Sequence, residues 1–210
     1  MSNDLIQAEA KRKLDELLAA KAGGSSTGLI RQLEHVLVSI DSSISMDTHW
    51  GNSTRIDAAK VAAREMVNAS DPKVTAYTIT SFGSEAHLHS PRSTNYIIAH
   101  AGIMEIGNGG GTSFQAALEL ARKRHAISPV HRMIALTDGQ FWCSDSELQF
   151  FVSNHIKIDT VAIGEANDSL LMHISEFTGG KYHRAQTPEE LREQLKALET
   201  RAYLQLEHKS

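Results

Sequence analysis

Two carboxylates and three hydroxyls, drawn from three separate stretches of the chain, are the side chains with the most chemistry to offer. Asp41, Ser43 and Ser45 occupy alternate positions of "SIDSSISM", at the end of the apolar run "HVLVSI" at 35–40. Thr112 follows three glycines in "GNGGGTS", and Asp138 follows "RMIALT" in "TDGQ". Every donor is oxygen. Such a set suits a hard divalent cation, Mg²⁺ first, with Mn²⁺ or Ca²⁺ as alternatives, and argues against zinc as the natural ion. Mg²⁺ takes about six oxygens and usually keeps waters, so neutral hydroxyls leave it short of negative charge. An Asp or Glu carboxylate on a partner protein is the natural remaining ligand. Gly109, Gly110 and Gly111 fit the same picture, because a loop passing close to an ion needs residues free to take positive φ.

For these residues to meet, the elements before them must end at one edge. "HVLVSI" is a short, β-branched run, the mark of a buried strand. Residues 54–69 turn helical, with Ile56, Ala59, Ala63, Met66 and Val67 on one face. "VTAYTITSF" at 74–82 reads as a second strand, and "SEAHLHS" after Gly83 as its hairpin partner at the sheet edge. "STNYIIAHAGIMEI" is helical. A further helix opens after the glycines, with Thr112 or Ser113 as N-cap and Phe114, Ala117, Leu118 and Ala121 inward. "RMIALT" at 132–137 and "IDTVAIG" at 158–164 are strands. Between them "SDSE" at 144–147 is a capping box that opens a helix with Leu148, Phe151 and Val152 inward. "NDSLLMHISEFTGG" is a capped helix with a glycine stop, "KYHRA" a short strand, and "TPEE" the start of the last helix, carrying Leu191, Leu195, Leu198 and Ala202. Strand and helix alternate, and parallel strands need helical crossovers. The expected fold class is α/β: a Rossmann-like, doubly wound, mostly parallel sheet with helices on both faces. An extra amphipathic helix precedes it, with Ile6, Ala10, Leu14, Leu17 and Leu18 in one stripe and a Gly/Ser joint at 22–28. The expected organisation is residues 1–28 for that helix and joint, 29–205 for the main domain and 206–210 for a tail. In such a sheet ligands bind at the carboxyl ends of the strands, where the strand order reverses.

The sequence here resembles the von Willebrand factor A domains. Asp41-Ser42-Ser43-Ile44-Ser45 fits their D-x-S-x-S pattern, and Thr112 in "GGGTS" and Asp138 in "LTDG" match the other two parts of that family's metal-ion-dependent adhesion site. "DTVAIG", "LLMHISEFTGGKYHRA" and "TPEELREQL" resemble the closing third of such domains, so the likeness spans about residues 34–205. The resemblance implies that Ser43, Ser45 and Thr112 touch the ion and that Asp41 and Asp138 hold its waters. It implies a non-enzymatic adaptor that binds a partner through the ion, in several intracellular relatives within assemblies built on ring-forming ATPases. Ile44 departs from the pattern, since many relatives have Gly there; its bulk narrows the mouth or offers an apolar contact. Phe141 and Trp142, three and four residues past Asp138, either join a partner interface or pack under the loop.

The bulk numbers set limits. In 210 residues, 41% hydrophobic and 22% charged residues are ordinary for a folded globular chain. A net charge of −4 argues against a general nucleic-acid binder. A single cysteine, Cys143, forbids an internal disulfide and fits a reducing, cytoplasmic setting. No run approaches the ~18 apolar residues of a membrane span, and the opening stretch is no signal peptide. "GNGGGTS" lacks the Lys of a phosphate loop. His87 and His89 read as surface residues rather than a zinc pair, and Cys143 as a packing residue. "DSSIS" by itself could be an ordinary turn. The competing function is a Mg²⁺-dependent phosphohydrolase with Asp41 as nucleophile. That chemistry wants a carboxylate two residues on, where Ser43 stands, and there is no G-x-S-x-G elbow.

Overall fold

The structure, a computed structural model, describes residues 33–207. The helix expected near the start of the chain, its joint, and residues 208–210 lie outside them. Six strands form one sheet in the order β5-β4-β1-β6-β7-β8. They are β1 (Glu34–Asp41), β4 (Thr75–Phe82), β5 (Ala86–Ser93), β6 (Arg132–Thr137), β7 (Lys157–Ile163) and β8 (Tyr182–Ala185). All pairs are parallel except β4 with β5, the hairpin expected at the edge. Pro91 lies in that edge strand, where a missing N–H costs no inner ladder bond.

The helices are α1 (Arg55–Ala69), α2 (Tyr96–Glu105), α3 (Phe114–Ile127), α4 (Asp145–Ser153), α5 (Asp168–Thr178) and α6 (Pro188–Glu207). Alternation along β1 sorts them into two layers. Val36, Val38 and Ile40 pack with Ala59, Ala63 and Met66 of α1, Ile103 of α2, and Leu191 and Leu195 of α6. Leu37 faces the other way, with Phe114 and Leu118 of α3, Phe151 of α4 and Ile174 of α5. A strand buried on both faces reads as a continuous apolar run, which is why β1 was visible in the sequence.

The starts of α3, α4, α5 and α6 follow the expected caps, and Thr54, expected inside α1, caps it instead. Thr54, Ser113 and Asn167 accept N–H bonds from Asp57, Ala116 and Leu170 at 3.2, 3.3 and 3.3 Å. Thr187 accepts from Glu190 N–H at 3.2 Å, while the Glu190 carboxylate reaches beyond it to Gln186 N–H at 2.7 Å. The helix α6 runs two residues into the stretch expected as tail. A small antiparallel ribbon, β2 (His49–Trp50) with β3 (Ser53–Thr54), has no counterpart in the sequence reading. Its arms are two residues long, too short to show alternation, although Gly51-Asn52 between them is a hairpin turn signal. Among the described residues no helix is long and apolar enough to cross a membrane.

Candidate metal centre

The strand order reverses between β1 and β6. The chain leaves β1 for β4 on one side, then returns through α3 to lay β6 on the other. Asp41 is the last residue of β1, and Asp138 directly follows β6, so both carboxylates stand at the crevice where ligands bind in such sheets. Both are fully buried. Asp41 Oδ1 accepts the Ser43 N–H at 2.9 Å, and Oδ2 accepts the Thr137 hydroxyl at 2.6 Å. Thr137 in turn accepts Gly139 N–H at 2.9 Å, which fixes its proton toward Asp41. A 3₁₀ turn at Ile44–Asp47 then curls the chain so that Ser43 Oγ and Ser45 Oγ lie 3.0 Å apart. Asp138 Oδ1 accepts Gln140 N–H at 3.3 Å, and Oδ2 accepts Arg55 Nη1 at 3.1 Å.

Thr112 arrives on the loop that must cross the sheet edge, since α2 packs on one face and α3 on the other. The crossing is tight. Gly109 N–H donates to Ser42 O at 2.6 Å, Ser84 N–H to Gly109 O at 2.8 Å, Ile44 N–H to Gly110 O at 2.8 Å, and Ser113 N–H to Gly83 O at 2.7 Å. A Cβ on Gly83 would meet Gly109 O at 2.3 Å, and Gly110 has φ +80. Glycine is required at both for steric reasons. Asn108 adds a side-chain bond to Asp47 of the 3₁₀ turn. The loop carrying half-buried Thr112 is thereby stitched to the Ser42–Ile44 segment on one side and to Gly83 on the other. The structure thus brings the segments of all five expected residues to one rim.

A model of the von Willebrand factor type A domain matches residues 36–140, half of the chain. The chain belongs to this family. No curated protein matches the sequence. Solved structures similar to it include the conserved hypothetical protein BatB from Bacteroides thetaiotaomicron, 17% identical over 78% of this chain and 96% of that one, with a TM-score of 0.69. A von Willebrand factor type A protein from Catenulispora acidiphila is 21% identical over 80% of this chain and 42% of that one, TM-score 0.69. The vWF domain of the type V pili tip protein Mfa5 from Porphyromonas gingivalis is 13% identical over 84% and 97%, TM-score 0.69. These likenesses are of fold, and they extend well beyond the family match at Gln140.

The electrostatics of this vWA domain are uneven. Burial, reinforced by the charge of Asp138, lifts the Asp41 carboxyl from 3.8 to about 6, although hydrogen bonds from Ser43 and Thr137 pull it down. Two donors that want a carboxylate to accept from them are set against a burial that disfavours its charge. A positive charge nearby would resolve that conflict. The donor set is all oxygen, two carboxylates and three hydroxyls, which is the chemistry of a hard cation; among the described residues no group of three or more His, Cys, Asp or Glu could hold a metal. Ser43, Ser45 and Thr112 would be its neutral oxygens and Asp41 and Asp138 its anionic support.

Two residues of the vWA site escaped the sequence reading. Thr137 looks like an ordinary end of strand β6. Arg55 looks like the first turn of α1, yet its guanidinium crosses 83 residues of sequence to pair with Asp138. The structure separates the three residues named for a partner face. Ile44, between Ser43 and Ser45, and Trp142, four residues past Asp138, stand 66% and 75% exposed. Phe141 instead turns under the loop, stacked on Phe114 with ring centroids 4.5 Å apart and edge-on to Phe82 at 6.2 Å. It is half-buried and packs against the layer that holds Phe82 and Phe114, the second of the two alternatives left open by the sequence. Cys143 is buried, and burial with Glu147 and Asp145 nearby pushes its thiol up to about 12, so it is a packing residue. His89 hydrogen-bonds Ser81 at 2.7 Å while His87 is exposed.

Proposed function

We propose that this vWA domain is a metal-dependent protein-interaction module. Ser43, Ser45 and Thr112 hold a divalent cation, Mg²⁺ by preference, and Asp41 and Asp138 support it through water. When bound, the ion supplies a positive, Lewis-acidic docking point for an Asp or Glu carboxylate of a partner. The exposed Ile44 and Trp142 border that docking point and supply apolar contact. The observation that carries the reading is Asp41: a buried carboxylate at the topological switch point, bonded only to neutral donors. The family resemblance makes a multiprotein assembly, such as one built on a ring-forming ATPase, the class of partner to seek. No bond need be made or broken. In a phosphohydrolase Asp41 would attack, but both its oxygens are already engaged and Ser43 occupies the general acid's place.

The test is capture of partners by the full chain in Mg²⁺ and in EDTA, beside Asp41→Ala. Partners retained only by the wild type in Mg²⁺ support the reading. Retention indifferent to both chelator and substitution would sink it, as would phosphate-ester turnover abolished by Asp41→Asn.

A further inference from the structure

The residue least explained by a metal-binding role is Arg55. Its backbone N–H is held by Thr48 O at 3.1 Å at the start of α1, and its side chain runs inward rather than out to solvent. It is only 9% exposed, and the Asp138 carboxylate it meets is fully buried. The route is built for it. Gly164, just past β7 with φ +66, lies beneath the guanidinium, and a Cβ there would come within 2.6 Å of Arg55 Nε and 2.9 Å of Cζ. An arginine carried this far into a cation site is costly unless its charge has a use.

Resting on the metal-dependent reading above, we propose that Arg55 is the resident counter-ion of the centre, a positioning residue that limits how tightly the cation is held and keeps the loaded site positive. The charge count shows how. Asp41 and Asp138 contribute two negative charges, and Arg55 returns one, leaving the protein's share at minus one. A divalent ion then brings the centre to plus one, which a single partner carboxylate neutralises. Without Arg55 the two carboxylates would cancel the ion by themselves, hold it more tightly, and leave little attraction for a partner. Arg55 also keeps Asp138 compensated when no ion is present. Its removal therefore destabilises the empty site and favours the filled one, and both effects tighten cation binding. A residue that merely braced α1 or oriented Asp138 would act the other way, since its loss would loosen a ligand.

Titration with Mn²⁺ by calorimetry, on the full chain, tests this in the wild type, Arg55→Gln and Arg55→Lys. Arg55→Gln is expected to bind Mn²⁺ at least tenfold more tightly and to show the larger Mn²⁺-induced rise in Tm. Arg55→Lys, which keeps the charge, stays within threefold of the wild type. Unchanged or weaker binding by Arg55→Gln overturns the proposal. If that variant folds only with Mn²⁺ present, the proposal is supported. If it folds in neither buffer, Arg55→Lys decides: wild-type affinity supports the proposal and a tenfold loss overturns it. A wild type that takes up no Mn²⁺ sinks the metal reading and this one with it. That result is distinct from a wild type that binds while Arg55→Gln gains nothing.

Discussion

At each end of the sheet a buried arginine pairs with a carboxylate among the described residues, Arg132 at one and Arg55 at the other, and the two ends use the charge differently. At the amino end Arg132 lies 3.1 Å from Glu34 and 3.5 Å from Asp159, so one cation answers both anions. Asp159 also accepts Lys181 N–H at 2.8 Å. At the carboxyl end Arg55 pairs with Asp138 and leaves Asp41 to the neutral donors of Ser43 and Thr137. A buried arginine thus closes a structural cluster in one place and leaves a neighbouring carboxylate to neutral donors in the other. The two ends of β1 repeat the contrast with single residues. His35 is buried, with Nδ1 2.9 Å from Pro129 O and Nε2 2.8 Å from Thr78 Oγ1, contacts that a neutral ring satisfies. Asp41, six residues on, is buried among donors that call for its charged form. Burial of a titratable group is thus no mark of function by itself. What separates the ends is whether the neighbours already supply what the group needs.

The largest effect should come from opening the closed cluster. Arg132→Ala leaves Glu34 and Asp159 without their shared cation, and removing one partner of a buried pair typically costs about 3–5 kcal/mol. Because Glu34 is partly solvated, the lower part of that range is expected. Urea unfolding would measure it. Cation affinity at the other end of the sheet should stay within twofold of the wild type. A variant with full stability, or one with impaired Mn²⁺ binding, would erase the division between a structural end and the end proposed to hold the ion.

His35 sharpens the same comparison through pH. Burial lowers its imidazole from 6.5 to about 4, against a raising influence from Pro129 O and a lowering one from Arg92. As pH falls, the unfolded chain takes up the proton first. This contribution to stability is therefore full above about pH 6.5 and is lost as pH falls toward 4, a change of about 3 kcal/mol. Urea midpoints measured at pH 7, 5.5 and 4.5 should fall less in His35→Gln than in the wild type. Equal slopes would remove His35 as the sensitive group.

Much of this was legible in the chain because it depends on local pattern. A strand covered on both faces must be apolar throughout, so β1 and β6 announce themselves, and the polar residue that ends each one is conspicuous. Helix starts show through their caps for the same reason. Arg55 was not legible, since a first-turn arginine ordinarily points to solvent and its partner lies far along the sequence. The Arg132 cluster joins three different strands and leaves no spacing to read. The loop's glycines predicted a close approach, but not that Gly83 was its other half. Phe141 and Trp142 are adjacent residues of one chemical kind, and only the half-burial of the first and the exposure of the second separate them.

That pair gives the finest test of the contrast between what holds the fold and what faces outward. Adjacent aromatic residues on one loop should fail in different assays. Phe141 stacks on Phe114 and touches Phe82 at its edge, so Phe141→Ala forfeits aromatic contact and opens a gap above α3. A fully buried ring would cost about 3–5 kcal/mol, and a half-buried one about 2 kcal/mol. Trp142 is 75% exposed, and its truncation should change stability by less than about 0.5 kcal/mol. If an interface forms here, that same truncation should weaken partner capture by about tenfold or more, because exposed tryptophans beside a docking point are the usual anchors. The clean outcome is a crossed one, with Phe141→Ala losing stability and Trp142→Ala losing partner at unchanged Tm. Loss of stability in both would make the loop a structural lid, and the partner surface would have to be sought around Ile44 instead.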